Sequence, residues 1–368
     1  FGQLTWNTPV GNKHSLLLGG AYRYTYYDDN TFATLSEDGF NNNPSIMHLP
    51  GIFIQDEINL NEWQKLLLGI RYDYNSIHGN VFSPRANYKW SSIDKNEIIR
   101  LSVGNGFRVA NVFTEDHAAL TGSRSVEFKD NLKPETSWNG NANYIKNIIF
   151  KESILTLDGS FFYTYFSNRI LPDYESNSNK IIYSNLDGKS VSKGISLNVD
   201  VMFQNGLSLL AGATLMDVSV IEKQVKTRQL LTERFSSVWS ISYRLKSLGV
   251  TIDYTGNVYG PMRLPLLGRL DPRDEYSQWF SIQNIQVTKK IRNIMELYVG
   301  VKNLLNFTPP SNSIARAFDP FDKKVQFDNE GQVIPSSNNP NGLTFDPSYV
   351  FTSNQGIRLF LGLNFTIY

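Results

Sequence analysis

Residues 357–368 read IRLFLGLNFTIY. Successive side chains of a strand point to opposite faces, so Ile357, Leu359, Leu361, Leu363, Phe365 and Ile367 share one side, while Arg358, Gly362, Asn364 and Thr366 share the other. The segment is a ribbon with one greasy and one polar face. Working backwards, the scheme repeats. KLLLGIRYDYN (65–75) sets Leu66, Leu68, Ile70, Tyr72 and Tyr74 against Arg71, Asp73 and Asn75. ILTLDGSFFYTYF (154–166) aligns Leu155, Leu157, Phe161, Tyr163 and Tyr165 against Thr156, Asp158, Ser160 and Thr164. ISLNVDVMF (195–203), VTIDYT (250–255) and MELYVGVKN (295–303) follow suit, with Asp200, Asp253, Glu296 and Lys302 on the polar side.

This segregation of charge is what a lipid-facing surface demands, because a Lys or Arg at the bilayer midplane costs roughly 2–4 kcal/mol. A soluble sandwich shows the same alternation. Length separates the two readings. Ordinary strands run to about five or six residues, whereas a tilted bilayer crossing takes about nine to eleven, and most segments here reach ten or more. The expected fold is therefore all-β, an antiparallel transmembrane β-barrel.

The connections point the same way. Tight links are predicted at 7–13, 61–62, 91–96, 146–152, 204–206, 246–249 and 289–293. Longer ones fall at 29–48, 76–80, 107–133, 168–180, 223–233, 260–277 and 304–354, and the two classes strictly interleave, as periplasmic turns and extracellular loops do. The last long loop holds Pro309, Pro310, Pro320, Pro335, Pro340 and Pro347, which cannot donate to a ladder. QWFSIQNIQV (278–287) changes phase near Asn284, predicting a β-bulge or a displaced boundary. About fifteen strands result, an odd number, whereas single-chain bacterial barrels carry even ones. Polarity carried back from the last strand starts the chain outside the cell, so upstream strands are expected to be missing.

Composition excludes other classes. Aromatics reach 13% of 368 residues, and no run of eighteen apolar residues offers a membrane helix. A mean hydropathy of −0.29 suits a barrel, whose hydrophobicity is hidden by alternation. A net charge of +1 argues against nucleic acid as a partner, and the absence of cysteine excludes disulfides and thiolate metal sites. No export signal opens the chain at Phe1, so one is expected upstream or already removed. No nucleophile elbow, His-Glu-x-x-His or P-loop occurs, and Gly104-x-Gly106 is too weak for a nucleotide fingerprint, so the reading is not an enzyme.

Four stretches carry a family resemblance: Ser83-Pro84-Arg85 running into Ala86-Asn87-Tyr88; Gly104-Asn105-Gly106-Phe107-Arg108-Val109-Ala110-Asn111 followed by Leu132-Lys133-Pro134-Glu135; Val301-Lys302-Asn303-Leu304-Leu305-Asn306; and the terminal strand. In order and spacing, residues 1–368 resemble the C-terminal part of the barrel of a TonB-dependent outer-membrane receptor of the Bacteroidetes type. Val109 and Ala110 depart from the usual Phe-Arg-Ala-Pro form. The resemblance implies a Gram-negative outer membrane and a barrel of about twenty-two strands, of which about seven are absent here together with the plug. It further implies uptake of a metal chelate released inward when TonB pulls on that plug, a ferric siderophore first, haem second and cobalamin third. A passive porin and a surface-binding barrel are the rivals. Ile367 is the outward residue of the last strand and leaves Tyr368 as an extra one, a modest register offset at the seam.

Within that frame, Arg108, Arg124, Arg263, Arg269, Arg273 and Arg316 lie at or above the outer rim, where guanidinium forks suit carboxylate or catecholate oxygens or lipopolysaccharide phosphates. Tyr259, Tyr276 and Trp279 flank one loop. His48, His78 and His117 fall in extracellular connections and His14 does not; His117 lies in the interval where haem-uptake members place a ligating histidine. Asp271, Asp274, Glu275, Asp319 and Asp322 could ligate calcium, as oxygen-rich extracellular loops do, but their spacing matches no EF-hand, so no metal site is assigned to them and no cofactor is expected. Tyr22, Tyr24, Tyr26 and Tyr72 read as the interfacial girdle.

Overall fold

The computed structural model describes residues 1–28, 41–109, 125–129, 132–151, 153–174, 176–177, 180–266, 273–291, 294–310, 326–329, 333–337, 339–340 and 350–366. One antiparallel sheet of sixteen strands dominates it, fifteen of them following one another along a single path. In chain order these are β1 (Gly2–Val10), β2 (His14–Tyr27), β3 (Ser45–Asn59), β4 (Gln64–Asn75), β5 (Gly79–Ser91), β6 (Glu97–Arg108), β7 (Glu135–Phe150) and β8 (Ser153–Asn168). They continue as β9 (Gly188–Met202), β10 (Leu207–Glu222), β11 (Phe235–Leu245), β12 (Val250–Tyr259), β13 (Phe280–Ile291), β14 (Met295–Lys302) and β15 (Arg358–Phe365). Each pairs with the next, and the path ends at β1 and β15.

Two tight links are shorter than the sequence suggested, 11–13 against 7–13 and 151–152 against 146–152, because the strands run further at the short-turn end, whereas 203–206 is one residue longer than the expected 204–206. Gly206 shows why such turns are specific: its φ is +90, and a Cβ there would stand 2.5 Å from the Arg244 carbonyl oxygen. His48, expected in a connection, lies inside β3. Ile367 and Tyr368 lie outside the described residues.

The greasy face is uncovered. Leu359 and Leu361 remain 81% and 73% exposed and Leu4 80%, so among the described residues no second layer of protein packs on this side, against the sandwich alternative. The opposite face carries hydrogen-bonded polar groups. Lys65 Nζ lies 2.6 Å from Glu57, Arg100 donates to Asn143 at 3.1 Å, Asn143 donates to Asp158 at 2.6 Å, and Ser242 donates to Asp253 at 2.6 Å.

The bulge expected near Asn284 is not there. β12 and β13 pair without a register shift from Val250↔Lys289 to Tyr259↔Phe280. What changes is the surroundings. Phe280 and Ile282 point to the polar side, where Phe280 is buried against Tyr259 at 5.1 Å, Phe307 at 5.1 Å and Phe351 at 5.7 Å between ring centroids. An apolar pocket near the long-loop rim thus inverts the hydrophobic phase while the ladder runs on. The irregularity that does occur lies between Thr136 and Ser137, at the start of β7.

A second device recurs on the wall. Phe53 lies directly opposite Gly19, Phe162 opposite Gly194, Trp239 opposite Gly256, Phe360 opposite Gly300, and Tyr298 opposite Gly362. In each pair the ring covers the glycine, in space a Cβ would occupy. This places Phe360 on the polar face of the last strand, where Lys302 Nζ stands 5.4 Å from its ring centroid.

Above the long-loop rim, Ile170–Asp173 and Lys180–Asn185 pair antiparallel, and Ser125–Phe128 joins the second in parallel. This small sheet has a core of its own, Tyr174, Ile181 and Tyr183, with Val126, Leu132, Ile170 and Leu230 packed around it. Two sheets in two places thus divide the work: the wall spans, and the layer above it holds polar side chains at the mouth.

Candidate functional site in the long-loop layer

Two of the sequence stretches singled out earlier meet here. Arg108, ending β6, donates from Nε to Glu135 Oε2 at 2.7 Å and reaches the same oxygen from a terminal nitrogen at 2.6 Å. Glu135, ending Leu132-Lys133-Pro134-Glu135, is buried at 6% exposure, and its other oxygen accepts the Ile170 N–H at 3.0 Å. Arg169 immediately precedes Ile170. Its guanidinium donates to Gln229 Oε1 at 2.5 Å and Ser190 Oγ at 3.2 Å, and lies 5.2 Å from the Phe166 ring centroid. Burial lowers the Arg169 pKa, with the Glu135 charge opposing and Arg108 reinforcing that drop. A guanidinium stays charged regardless, so the network ties together three loops through a fixed positive charge.

The second group lies on the far side of Gln229. Arg228 donates to the carbonyls of Thr232 at 2.8 Å and Pro261 at 2.9 Å, and stands 5.6 Å from the Tyr276 ring centroid. Burial lowers its pKa too, and neighbouring Arg234 adds to the effect. Arg263 bridges to both Leu230 and Tyr276 through its backbone, and its Nε lies 3.6 Å from Glu275. Leu264 N–H donates to the Glu275 carbonyl at 2.8 Å and Ser277 N–H to that of Met262 at 2.8 Å, so residues 262–264 and 275–277 form a narrow clasp. Arg273 is buried within the same loop, whereas Tyr276 is 40% exposed. The clasp therefore sets one half-exposed aromatic ring beside the Arg228 guanidinium, with Arg263 partly exposed next to it, a combination suited to a planar, oxygen-rich anion.

The structure thus pairs Arg263 with Tyr276, leaves Arg273 buried in the same loop, and sets Arg108 apart, committed to Glu135. Tyr259 packs on Phe280 instead, and Trp279 lies 5.8 Å from Phe235 by ring centroid, on the greasy side. His117, Arg124, Arg269 and Arg316, with Asp271, Asp319 and Asp322, lie outside the described residues. Among the described residues no group of three His, Asp or Glu is placed to hold a metal ion. Sequence reasoning missed Arg169 and Arg228. Arg169 follows β8, whose outer end was read two residues short, and Arg228 ends the short strand Val225–Arg228, which was read as connection; the dipeptide Arg228-Gln229, which touches both groups, was the available signal.

Other motif residues turn out to be structural. Asn303 is buried with a φ of +54; its side chain donates to the Phe307 carbonyl at 2.7 Å and accepts the Phe307 N–H at 3.0 Å. Arg85 reaches Gln55 across the wall between Gly69 and Gly104. His48 Nδ1 lies 2.7 Å from the Tyr22 hydroxyl on the greasy face. His78 sits in the tight turn 76–78, its N–H donating to Asn75 Oδ1 at 3.1 Å. Burial lowers the His78 pKa below its ordinary 6.5. A depressed imidazole is neutral when folded and binds its proton more readily when released. The turn is therefore expected to be most stable above about pH 6.5 and to loosen as pH falls through that value towards the folded pKa. Protection factors of the 76–78 amides, corrected for intrinsic exchange, at pH 5 and 8 check this; His78→Asn is expected to abolish the difference.

Comparison with known proteins places this geometry. A family model described as "TonB dependent receptor-like, beta-barrel" matches residues 1–304. An "Iron-regulated outer membrane virulence protein" of Vibrio cholerae is 30% identical over 133 residues, 36% of this chain and 20% of that protein. The ferric enterobactin receptor of Pseudomonas aeruginosa superposes with a TM-score of 0.66 at 16% identity, covering 99% of this chain and 53% of that one. The siderophore receptor PirA of Acinetobacter baumannii gives 0.67 at 14% identity, covering 99% and 53%. The chain spans about half the length of these solved receptors and matches a fifth of the curated relative.

Proposed function

The chain belongs to the TonB-dependent receptor β-barrel family of the outer membrane, and on that premise we propose that it is part of a receptor that takes up a ferric siderophore. The wall supplies the membrane crossing, and the long-loop layer supplies the outer half of the ligand site. Release inward is by TonB acting on a plug that fills the lumen. The observation that carries this reading is the clasp around Arg228, Arg263 and Tyr276, where the Arg228 guanidinium stands 5.6 Å from the half-exposed Tyr276 ring and Arg263 pairs with Tyr276 through its backbone. A ferric catecholate is an anion with aromatic rings and suits that surface better than a neutral sugar does. The names of the proteins that this chain resembles, two siderophore receptors and an iron-regulated protein, lie in the same direction.

The test uses the whole receptor. Arg263→Ala with Tyr276→Ala is expected to weaken binding of a ferric catecholate at least about tenfold, measured by tryptophan fluorescence, since hydrogen bonds to a charged group contribute about 1.5–3 kcal/mol. Loss of the gene is expected to slow growth on that chelate as sole iron source. Unaltered growth together with unaltered binding would sink the proposal and favour a porin or a surface-binding barrel.

A further inference from the structure

We propose that the greasy face of β9 and β10, at its long-loop rim, binds the phosphate groups of an outer-leaflet glycolipid through Lys189, Lys193 and Lys226. On β9 the membrane-facing residues are Ile195, Leu197 and Val199, exposed in sequence alternation. β9 begins at Gly188, further up than the sequence suggested, and the same alternation then puts Lys193 and Lys189 on that face. Lys193 lies directly opposite Tyr163 on one side and Asp217 on the other. Two steps higher on the same face, past Val191 and Ser219, Lys189 faces Ile221, which in turn faces Lys226 on the short strand Val225–Arg228. Two rows of one surface thus carry three lysines at the level of the aromatic girdle.

Charge balance argues for an anion. Lys226 Nζ lies 2.7 Å from Asp217, and Lys193 and Arg234 act on that same carboxylate. On that face Asp217 is the acidic partner of these cations, while Glu222, one residue on from Ile221 and so on the opposite face, accepts the Asp187 N–H at 3.2 Å. The greasy face keeps a local excess of positive charge at the height where lipid headgroups begin. The surplus is local. At the same rim β2–β5 present Tyr22, Tyr24, Tyr26, His48, Tyr72 and Tyr74 on the greasy face, without a lysine or arginine. Snorkelling into water would account for one such lysine. It does not account for three gathered on adjacent strands beside exposed Leu215, where acyl chains would lie below the phosphates.

The outer-membrane protein that carries this chain is to be purified in detergent and offered lipid A with its phosphates intact, or the same lipid dephosphorylated, with retention read by native mass spectrometry. Wild type is expected to retain the phosphorylated lipid about tenfold better than the dephosphorylated one. It is also expected to retain it about tenfold better than the variant combining Lys189→Gln, Lys193→Gln and Lys226→Gln. Asp217→Asn is expected to bind at least as well as wild type. Equal retention of the two lipids overturns the proposal, as does equal retention by wild type and a folded variant, or displacement by millimolar inorganic phosphate. Should the triple variant not fold, Lys193→Gln alone, on an exposed position, is expected to lose retention severalfold, and no loss overturns the proposal equally.

Discussion

Replacing Glu135 by Ala is expected to loosen the long-loop layer while leaving the strands below it intact. The carboxylate is buried, pairs with Arg108, accepts the Ile170 N–H and faces the charge of Arg169. Breaking a buried pair by removing one partner costs about 3–5 kcal/mol. Arg108 keeps more than half of its side chain in water, which discounts its share, so about 2–3 kcal/mol is expected. Amides of Lys180–Asn185 and Ser125–Phe128 should then exchange roughly 30- to 150-fold faster, with β7 and β8 unchanged. Glu135→Gln retains an acceptor for Ile170 and should fall between. Unchanged exchange in the small sheet would show that its own core suffices to hold it.

The second large effect is a contrast between two glycines of the same strand pair. Gly300→Ala places a methyl group against the Phe360 ring and also 2.5 Å from the Ile285 carbonyl oxygen, which belongs to the backbone of the next strand. The ring can turn away; the ladder cannot. A loss of about 2–3 kcal/mol is expected. Gly362→Ala meets only the far end of Tyr298 and should cost below about 1 kcal/mol, part of it offset by a less flexible unfolded chain. Urea titration of the receptor refolded into lipid separates the two. Phe360→Ala should not rescue Gly300→Ala, because the carbonyl clash remains. Equal stability of the two glycine variants would refute the assignment of the clash.

These cases mark where sequence was informative. Alternation exposed the wall because every spanning strand meets the same two environments, lipid and polar lumen, for its whole length. It misled where one environment changes along a strand. Phe280 and Ile282 sit on the polar side beside Phe307 and Phe351, so their phase inverted without a bulge. It was also silent at strand ends: reading β9 from Ile195 rather than Gly188 hid Lys189 and Lys193 on the greasy face. In the loop layer, the stretches containing Arg108 and Glu135 were visible separately. Their meeting was not, because it depends on register across β6 and β7. Arg169 and Arg228 carried no periodic signal, since loop positions are set by contacts between loops.

The layer's separate core, Tyr174, Ile181 and Tyr183, has a bearing on how such proteins diversify. A module that packs on itself and is tied down through a few anchors such as Glu135 and Gln229 accepts mutations at its surface without a penalty to the spanning strands. If, as proposed above, this layer holds the ligand, its preference can drift, or be grafted from a relative, while the spanning strands stay under unrelated selection.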